Sequence, residues 1–343
     1  MTDQTSSAPN ISPSEQLMQM IWPGAMAAQA IFVAAQLGIA DLLKDGPKQI
    51  DELGKATDAH APSLHRLLRA LTSLGIFSET GTGIFENTAL SEALRGDIPN
   101  TMRPWAIFFG SPFMSRPFGD LYETVMSGQP AVDRVLGKPF FAYLAEHPDD
   151  AAVFNSAMTA GSEMNVPAVL AAYDFSQFER IVDVGGGQGA LLRGILSANP
   201  NLRGVLFDFQ EVVSGATALT TGELASRCQV VGGDFFESVP EGADAYIMKG
   251  IIHDWNDDAA LRILKRCRQA IKDDGRLLLV EMILKPSGEP DPGTFGDVLM
   301  LTLVGGRERT ESDFRALLQK AGFDLSRVVT TDAPNSIIEG RPI

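Results

Sequence analysis

The chain has 343 residues, 45% hydrophobic and 21% charged, with a formal net charge of -15. That length supports more than one domain with its own core, and the composition excludes a disordered chain. The acidic surplus argues against a phosphate-backbone partner, so no nucleic acid is expected, and two cysteines without metal-ligand spacing (Cys228, Cys267) fit a reduced cytoplasmic protein.

Residues 1–14 read as a disordered tail, polar and without the basic flank of a signal peptide. Residues 15–100 read as a helical domain. Its segment Gln16–Ala40 carries no charge, which raises the question of a membrane span. Pro23, Gly24 and four glutamines interrupt it, and no basic cluster flanks it. A helix buried on most sides, or at a subunit interface, is therefore expected, with no membrane contact. The stretch "SLHRLLRALTSLGIF" places Leu64, Leu67, Leu68, Leu71 and Leu74 on one helix face, with Gly75 as a stop. "IFSETGTGIFENTAL" alternates apolar and polar residues around Gly81 and Gly83, as a hairpin does. Helices followed by a hairpin suggest a winged helix, a module that often binds DNA. Between Lys48 and Asp97, however, five basic residues face seven acidic ones, the reverse of what DNA needs. Residues 101–175 are helical and rich in Phe, Met and Pro, either as core or as an apolar wall for a flat ligand.

From residue 176 the rhythm changes. Apolar strands ("RIVDVG", "RGVLFDF", "CQVVGGDF", "DAYIMKGII", "GRLLLVEMIL") alternate with helices, which implies an α/β fold with a doubly wound, mostly parallel sheet. One helix, "AALRILKRCRQAI", aligns Leu261, Leu264, Cys267 and Ile271, and "SRVVTTDAPNSIIEGRP" reads as a terminal hairpin. The ligand crevice of such a sheet lies at the carboxyl ends of its strands, where Asp183, Gly185, Asp208, Asp234, Lys249 and His253 fall.

The stretch "IVDVGGGQGALL" reads as strand, glycine turn and helix, and Gly185, Gly187 and Ala190 also satisfy the dinucleotide pattern G-x-G-x-x-A. The loop alone leaves NAD and other adenosine cofactors open. Asp183, two residues before Gly185, would repel a pyrophosphate and attract a cationic sulfonium or ammonium ligand, which favours S-adenosylmethionine. Asp208 is placed to accept from ribose hydroxyls. Asp234 could accept from an adenine amino group while Phe235 packs on the ring.

The motifs "VDVGGGQG", "GGDFFESVP", "MKGIIHDWNDDAALRILKRC" and "GGRERT" together resemble the homodimeric S-adenosylmethionine-dependent O-methyltransferases of the plant caffeic acid and isoflavone type, with bacterial relatives in secondary metabolism. The resemblance spans nearly the whole chain. It implies a winged-helix-like, all-helical dimerisation domain (15–100), a helical connector lining the acceptor pocket (101–175) and a Rossmann-like catalytic domain (176–343). It implies a homodimer acting on an aromatic small molecule, with S-adenosylhomocysteine as the product. Cofactor contacts would fall on Asp183, Gly185, Asp208, Phe209, Asp234, Phe235 and Lys249, and on Ser162. Plant relatives usually carry Leu-Pro where this chain has Phe209-Gln210.

Of the four histidines, His253 follows a strand and precedes the "NDD" helix start, so it should sit at the crevice. In the family this "HDW" histidine is the general base, and imidazole titrates in the right range to take a phenol proton. The acceptor oxygen would attack the methyl in line with the leaving sulfur. The resemblance assigns Glu281 and Glu308 as flanking carboxylates, although Glu308, between Arg307 and Arg309, could equally be a surface ion pair. Asp254 could orient the ring or be structural. No metal site is expected. The acceptor pocket should be apolar, with Phe108, Phe109, Phe113, Met158, Trp255 and Met300 as candidates. The rival readings are a nicotinamide-dependent dehydrogenase, a ligand-responsive DNA-binding regulator, and a family member drifted to N-methylation or non-methylating chemistry.

Overall fold

A computed structural model describes residues 12–286, 289–291 and 293–343. The chain divides into two compact units after Met114, rather than at residues 100 and 175. Residues 1–11 of the expected tail lie outside the described residues. Residues 13 and 14 are already helical, because Ser12 and Glu15 form a reciprocal capping box at the start of the helix Pro13–Gln36.

In the first unit that helix packs on Arg103–Gly110 and on Ala61–Ser73. Its approach to Arg103–Gly110 is close: a Cβ on Gly110 would lie 2.1 Å from the Phe32 side chain. The expectation of a helix buried on most sides holds only for its last turns, where Ala34 and Ala35 are buried. Leu17, Met18, Met20, Ile21, Trp22 and Met26 are all exposed, with no other described element covering them. By length and composition the helix could cross a membrane. Leu64, Leu68 and Leu71 form the buried face of Ala61–Ser73, while Leu74 caps the helix and is exposed. The expected hairpin is present as β2 (Phe77–Gly81) and β3 (Ile84–Asn87), antiparallel and joined by β1 (Lys48–Gln49), so the unit is helical with a small three-stranded sheet.

The second unit is built on one mixed sheet. The strands β4 (Arg180–Val184), β5 (Arg203–Asp208), β6 (Cys228–Gly232), β7 (Ala245–Lys249) and β8 (Arg276–Leu284) run parallel in the order β6-β5-β4-β7-β8. A short β9 (Arg309–Thr310) pairs with β8. The terminal hairpin, β10 (Phe323–Val329) and β11 (Asn335–Pro342), adds to the far edge, with β11 antiparallel to β8. Strand order reverses beside β4, so the ligand crevice belongs at the carboxyl ends of β4 and β7.

The central strands β4, β5, β7 and β8 are mostly apolar because both their faces are covered. Val182, Val205, Tyr246, Met248, Leu277 and Leu279 belong to one core, beneath the helices Asp257–Ala270 and Glu311–Ala321. Ile181, Leu206, Ile247, Leu278 and Val280 belong to the other, beneath Ala190–Ala198 and the end of Pro148–Ala172. In Asp257–Ala270 the buried face is Ala260, Ile263, Leu264 and Cys267, with Leu261 only half-buried at its margin.

Candidate active site

The glycine loop follows β4 directly. Gly185 and Gly187 have φ of 68° and 59°, a region that side chains with a Cβ disfavour. A Cβ on Gly185 would also lie 2.5 Å from the Ile251 side chain. The glycine amides of the loop are consumed internally. Gly185 and Gly186 both donate to the Phe207 carbonyl, Gly187 to Asp208 Oδ2 at 2.8 Å, and Gly189 to the Gly186 carbonyl. A dinucleotide loop needs such amides free for a pyrophosphate, so this one is not built as a phosphate cradle.

What the loop region offers instead is carboxylate. The alternation of β4, β5 and β7 puts Asp183, Asp208 and Lys249 on the same sheet face as Ile181, Leu206 and Ile247. Asp183 is buried, and its Oδ2 has no hydrogen-bond partner. Burial, only partly offset by Lys249, pushes its pKa up to about 7. Burial also raises Asp208, against the amides of Gly187 and Phe209 that its two oxygens accept. Lys249 is lowered by burial, with Glu281, Asp183 and Asp254 opposing the shift, so it lies within electrostatic reach of both halves of the crevice. Asp234 Oδ1 caps the next turn by accepting from the Phe236 amide. Phe235 is buried, Phe209 stands 41% exposed, and their ring centroids are 6.4 Å apart. Ser162 donates its hydroxyl to the Met158 carbonyl one turn back in the helix Pro148–Ala172.

After β7 the chain makes a single 3-10 turn, Ile252–Asp254. Glu281 Oε1 accepts from the amides of Ile251 and Ile252, at 3.1 and 2.8 Å. The His253 ring Nδ1 lies 2.7 Å from Glu308 Oε1 and 3.9 Å from Glu281 Oε2. Asp254 Oδ1 is 3.6 Å from Nε2. Glu281 and Glu308 are both buried, so Glu308 is no surface ion pair, and each keeps an Oε2 without a hydrogen-bond partner. Burial works against the imidazolium, but the charges of Glu281, Asp254 and Glu308 outweigh it and raise the His253 pKa to about 10. Burial raises Asp254 to about 7 and raises Glu281 as well. The structure therefore brings His253, Glu281 and Glu308 together across 55 residues of sequence. Their ligand atoms also lie within 4.8 Å of one another, close enough to share a cation, but the short Nδ1–Oε1 contact is a hydrogen bond that a metal would have to displace.

Five buried side-chain polar atoms lack a hydrogen-bond partner among the described residues, and four of them belong to Asp183, Trp255, Glu281 and Glu308. Buried polar groups are normally satisfied, so a cluster of exceptions marks a place shaped for a polar ligand. The residues fit a sulfonium-bearing adenosine cofactor: acidic side chains at the ends of β4 and β5, and aromatic rings beyond β6.

The acceptor candidates fall in both units. Phe108, Phe109 and Phe113 lie in the first unit, where Phe109 stacks on Trp105 and Phe108 tilts against Phe109 and Phe113. Met158 and Met300 lie in the second unit, half-buried and buried. Trp255 packs edge-on against Phe236 and Phe235, at centroid distances of 4.7 and 6.1 Å, and stacks on Phe141. Its ring neighbours thus include Phe235, the adenine candidate. Sequence reasoning missed Phe141, Gly306 and the role of Arg309 in this neighbourhood; the Gly305-Gly306 doublet was the available signal.

Comparison with known proteins agrees with this geometry. An O-methyltransferase domain model matches residues 118–324, and an O-methyltransferase dimerisation domain model matches residues 21–97. Phenazine O-methyltransferase PhzM of Lysobacter antibioticus is 43% identical over 331 residues, covering 96% of each chain. The solved structure of the O-methyltransferase NcsB1 from neocarzinostatin biosynthesis, in complex with S-adenosylmethionine and 2-hydroxy-5-methyl naphthoic acid, superposes with a TM-score of 0.82 at 34% identity, covering 92% of this chain and 96% of that one. An 8-amino-8-demethylriboflavin N,N-dimethyltransferase of Streptomyces davaonensis is 35% identical over 319 residues, covering 92% of this chain and 91% of that one. With both domain models matched in order and the loop unsuited to pyrophosphate, the chain belongs to the S-adenosylmethionine-dependent O-methyltransferase family.

Proposed function

We propose that the protein methylates a phenolic hydroxyl of an aromatic small molecule, with His253 as general base. S-adenosylmethionine supplies, when bound, a methyl group activated on a sulfonium. Asp208 would hold its ribose hydroxyls, Asp234 its adenine amino group, and Phe209, Phe235 and Trp255 its ring. Asp183 and Lys249 would face its charged end, and Ser162 is a further polar candidate. Met158 and Met300 of the second unit are apolar candidates for an aromatic acceptor, and Phe108, Phe109 and Phe113 are further apolar candidates in the first unit.

One observation carries the base assignment: Nδ1 of His253 lies 2.7 Å from the buried Glu308 carboxylate. A carboxylate oxygen can only accept, so Nδ1 keeps its proton and the neutral ring carries its lone pair on Nε2. The elevated pKa has two opposing effects. It lowers the fraction of neutral base at pH 7, but it makes that base strong enough to take the proton of a phenol, whose pKa is about 10. Glu308 and Glu281 then stabilise the imidazolium that forms.

The test is turnover of a phenol panel, read by product mass, with His253→Ala and His253→Gln. Both should lose about 10²–10⁴-fold in turnover, the usual worth of a positioned base. Near-normal turnover on a phenol of pKa near 10 would exclude His253 as the base. The N,N-dimethyltransferase relative favours a second reading, methylation of an amino group. Paired hydroxy and amino arenes in the same panel separate the two.

The exposed apolar face of Pro13–Gln36, inside the matched dimerisation domain, supports a homodimer. Light scattering should give twice the 36.8 kDa chain mass at micromolar concentration, and a monomer mass would refute the assembly.

A further inference from the structure

The turn that carries His253 is held at its amides by Glu281 and at its carbonyls by the segment Gly306–Arg309. Arg309 has one of the largest fully buried side chains in the protein. Its Nη1 donates to the Ile252 carbonyl at 2.8 Å and to the Arg307 carbonyl at 3.3 Å. Its Nη2 donates to the Trp255 carbonyl at 2.8 Å, and its Nε and Nη2 grip the Asp257 carboxylate. The Arg307 amide donates to the His253 carbonyl at 2.8 Å. Three of the four carbonyls from Ile252 to Trp255 thus accept from this segment. At Gly306 the two backbones touch: a Cβ there would lie 2.0 Å from the His253 carbonyl oxygen and 2.4 Å from the Asp254 carbonyl carbon. The same segment delivers Glu308, whose amide is anchored on Asp297 Oδ1 at 2.8 Å.

We propose that Arg309 is a positioning residue of the methyl transfer, its guanidinium fixing the 252–255 turn so that His253 and Glu308 stay in register. The inference rests on His253 being the base. Only a planar, five-donor group can bind two carbonyls of the turn and the Asp257 carboxylate together. A lysine can replace the charge but not the fork. Loosening the turn lengthens the Nδ1–Oε1 contact and misaims Nε2, and a 1 Å misplacement is worth about 10²-fold in rate. The groups facing the ring are Glu308 beside β9, Glu281 of β8 and Asp254 of the same turn, and Lys249 at the end of β7 acts on Glu281 and Asp254. Weakening the Glu308 contact moves the acid limb of the pH–rate profile downward.

The experiment compares Arg309→Lys, Gly306→Ala and His253→Ala in the full-length protein. It reads kcat, KM, the pH–rate profile and the melting shift caused by S-adenosylhomocysteine. Arg309→Lys should lower kcat about ten- to a hundredfold and move the acid limb to lower pH. Its acceptor KM and cofactor melting shift should stay close to the parent's. Gly306→Ala, which wedges the two backbones apart without touching a charge, should do the same. If either variant does not fold, the other decides. A parent-like kcat and pH limb in a folded Arg309→Lys protein would overturn the positioning role, and so would a loss confined to thermal stability. If His253→Ala itself retains turnover, the base assignment fails, and that outcome is distinct from a silent Arg309→Lys beside an inactive His253→Ala.

Discussion

The two halves of the crevice are built differently. The centre of the proposed cofactor half is local. The glycine loop, its preceding Asp183 and the carboxylate that pins it, Asp208, come from adjacent parallel strands within a stretch of roughly 30 residues. The proposed proton-transfer half is assembled over distance: the 252–255 turn, β8 with Glu281, and the 306–309 segment meet only through tertiary structure. The first half is held by backbone geometry, which glycine permits and other residues strain. The proposed second half is held by charge, with one half-buried histidine among three carboxylates. Local halves should fail by losing ligand, and assembled halves by losing rate.

The sharpest way to break this comparison is the His253→Ala protein, where the expected 10²–10⁴-fold loss of turnover should leave the S-adenosylhomocysteine melting shift intact. Asp208→Ala should behave in the opposite way. It removes the proposed charged acceptor of the ribose and also frees the Gly187 and Phe209 amides that shape the loop. Hydrogen bonds to a charged group contribute about 1.5–3 kcal/mol, so binding should weaken by about ten- to a hundredfold, measured calorimetrically. Unchanged binding would mean that Asp208 is purely a loop anchor.

Glu308→Gln sharpens the contrast within the proton-transfer half. The imidazole pKa lies near 10 because carboxylates surround it, so the neutral base accumulates as pH rises and activity climbs toward that value. Removing one charge lowers the pKa, and the acid limb should move to lower pH with a loss of turnover smaller than that of His253→Ala. An unmoved limb would detach Glu308 from the titrating group. The smallest effect belongs to Asp183. Its pKa near 7 means that the carboxyl is partly neutral at neutral pH, so affinity for the cationic methyl donor should rise several-fold as pH passes from 6 to 8. Asp183→Asn should flatten that dependence, and a persisting slope would assign it to another group.

The local half was largely readable in the sequence. A strand ending in Asp183, three glycines and an apolar helix face identify a ligand loop, and strand-end acids follow from the α/β rhythm. What the sequence could not convey was that the loop amides are already spent, which is what separates this loop from a dinucleotide one. The assembled half was readable only through resemblance. Glu308 between two arginines reads as surface, and its burial depends on Arg309 turning inward to satisfy carbonyls 54 and 57 residues away in the chain. Trp255 was expected at the acceptor, but its neighbours are set by where β6 ends, a tertiary fact. The extent of burial on Pro13–Gln36 was misjudged because an uncharged helix can hide its face in its own chain or in another's.

The position of β11 carries a consequence for biosynthesis. Residues 335–342 insert between β8 and β10, and Ser336 sits opposite Glu281. A chain emerging from the ribosome can pair β4, β5, β6 and β7 while residues 335–342 are still in the exit tunnel. It cannot close the edge of β8 until those residues are free. The nascent enzyme would gain its cofactor half well before its base is framed, leaving β8 as an unpaired edge during that interval. Arrest just before residue 335 should therefore yield a species that is competent for ligand, prone to strand-edge association and unable to turn over.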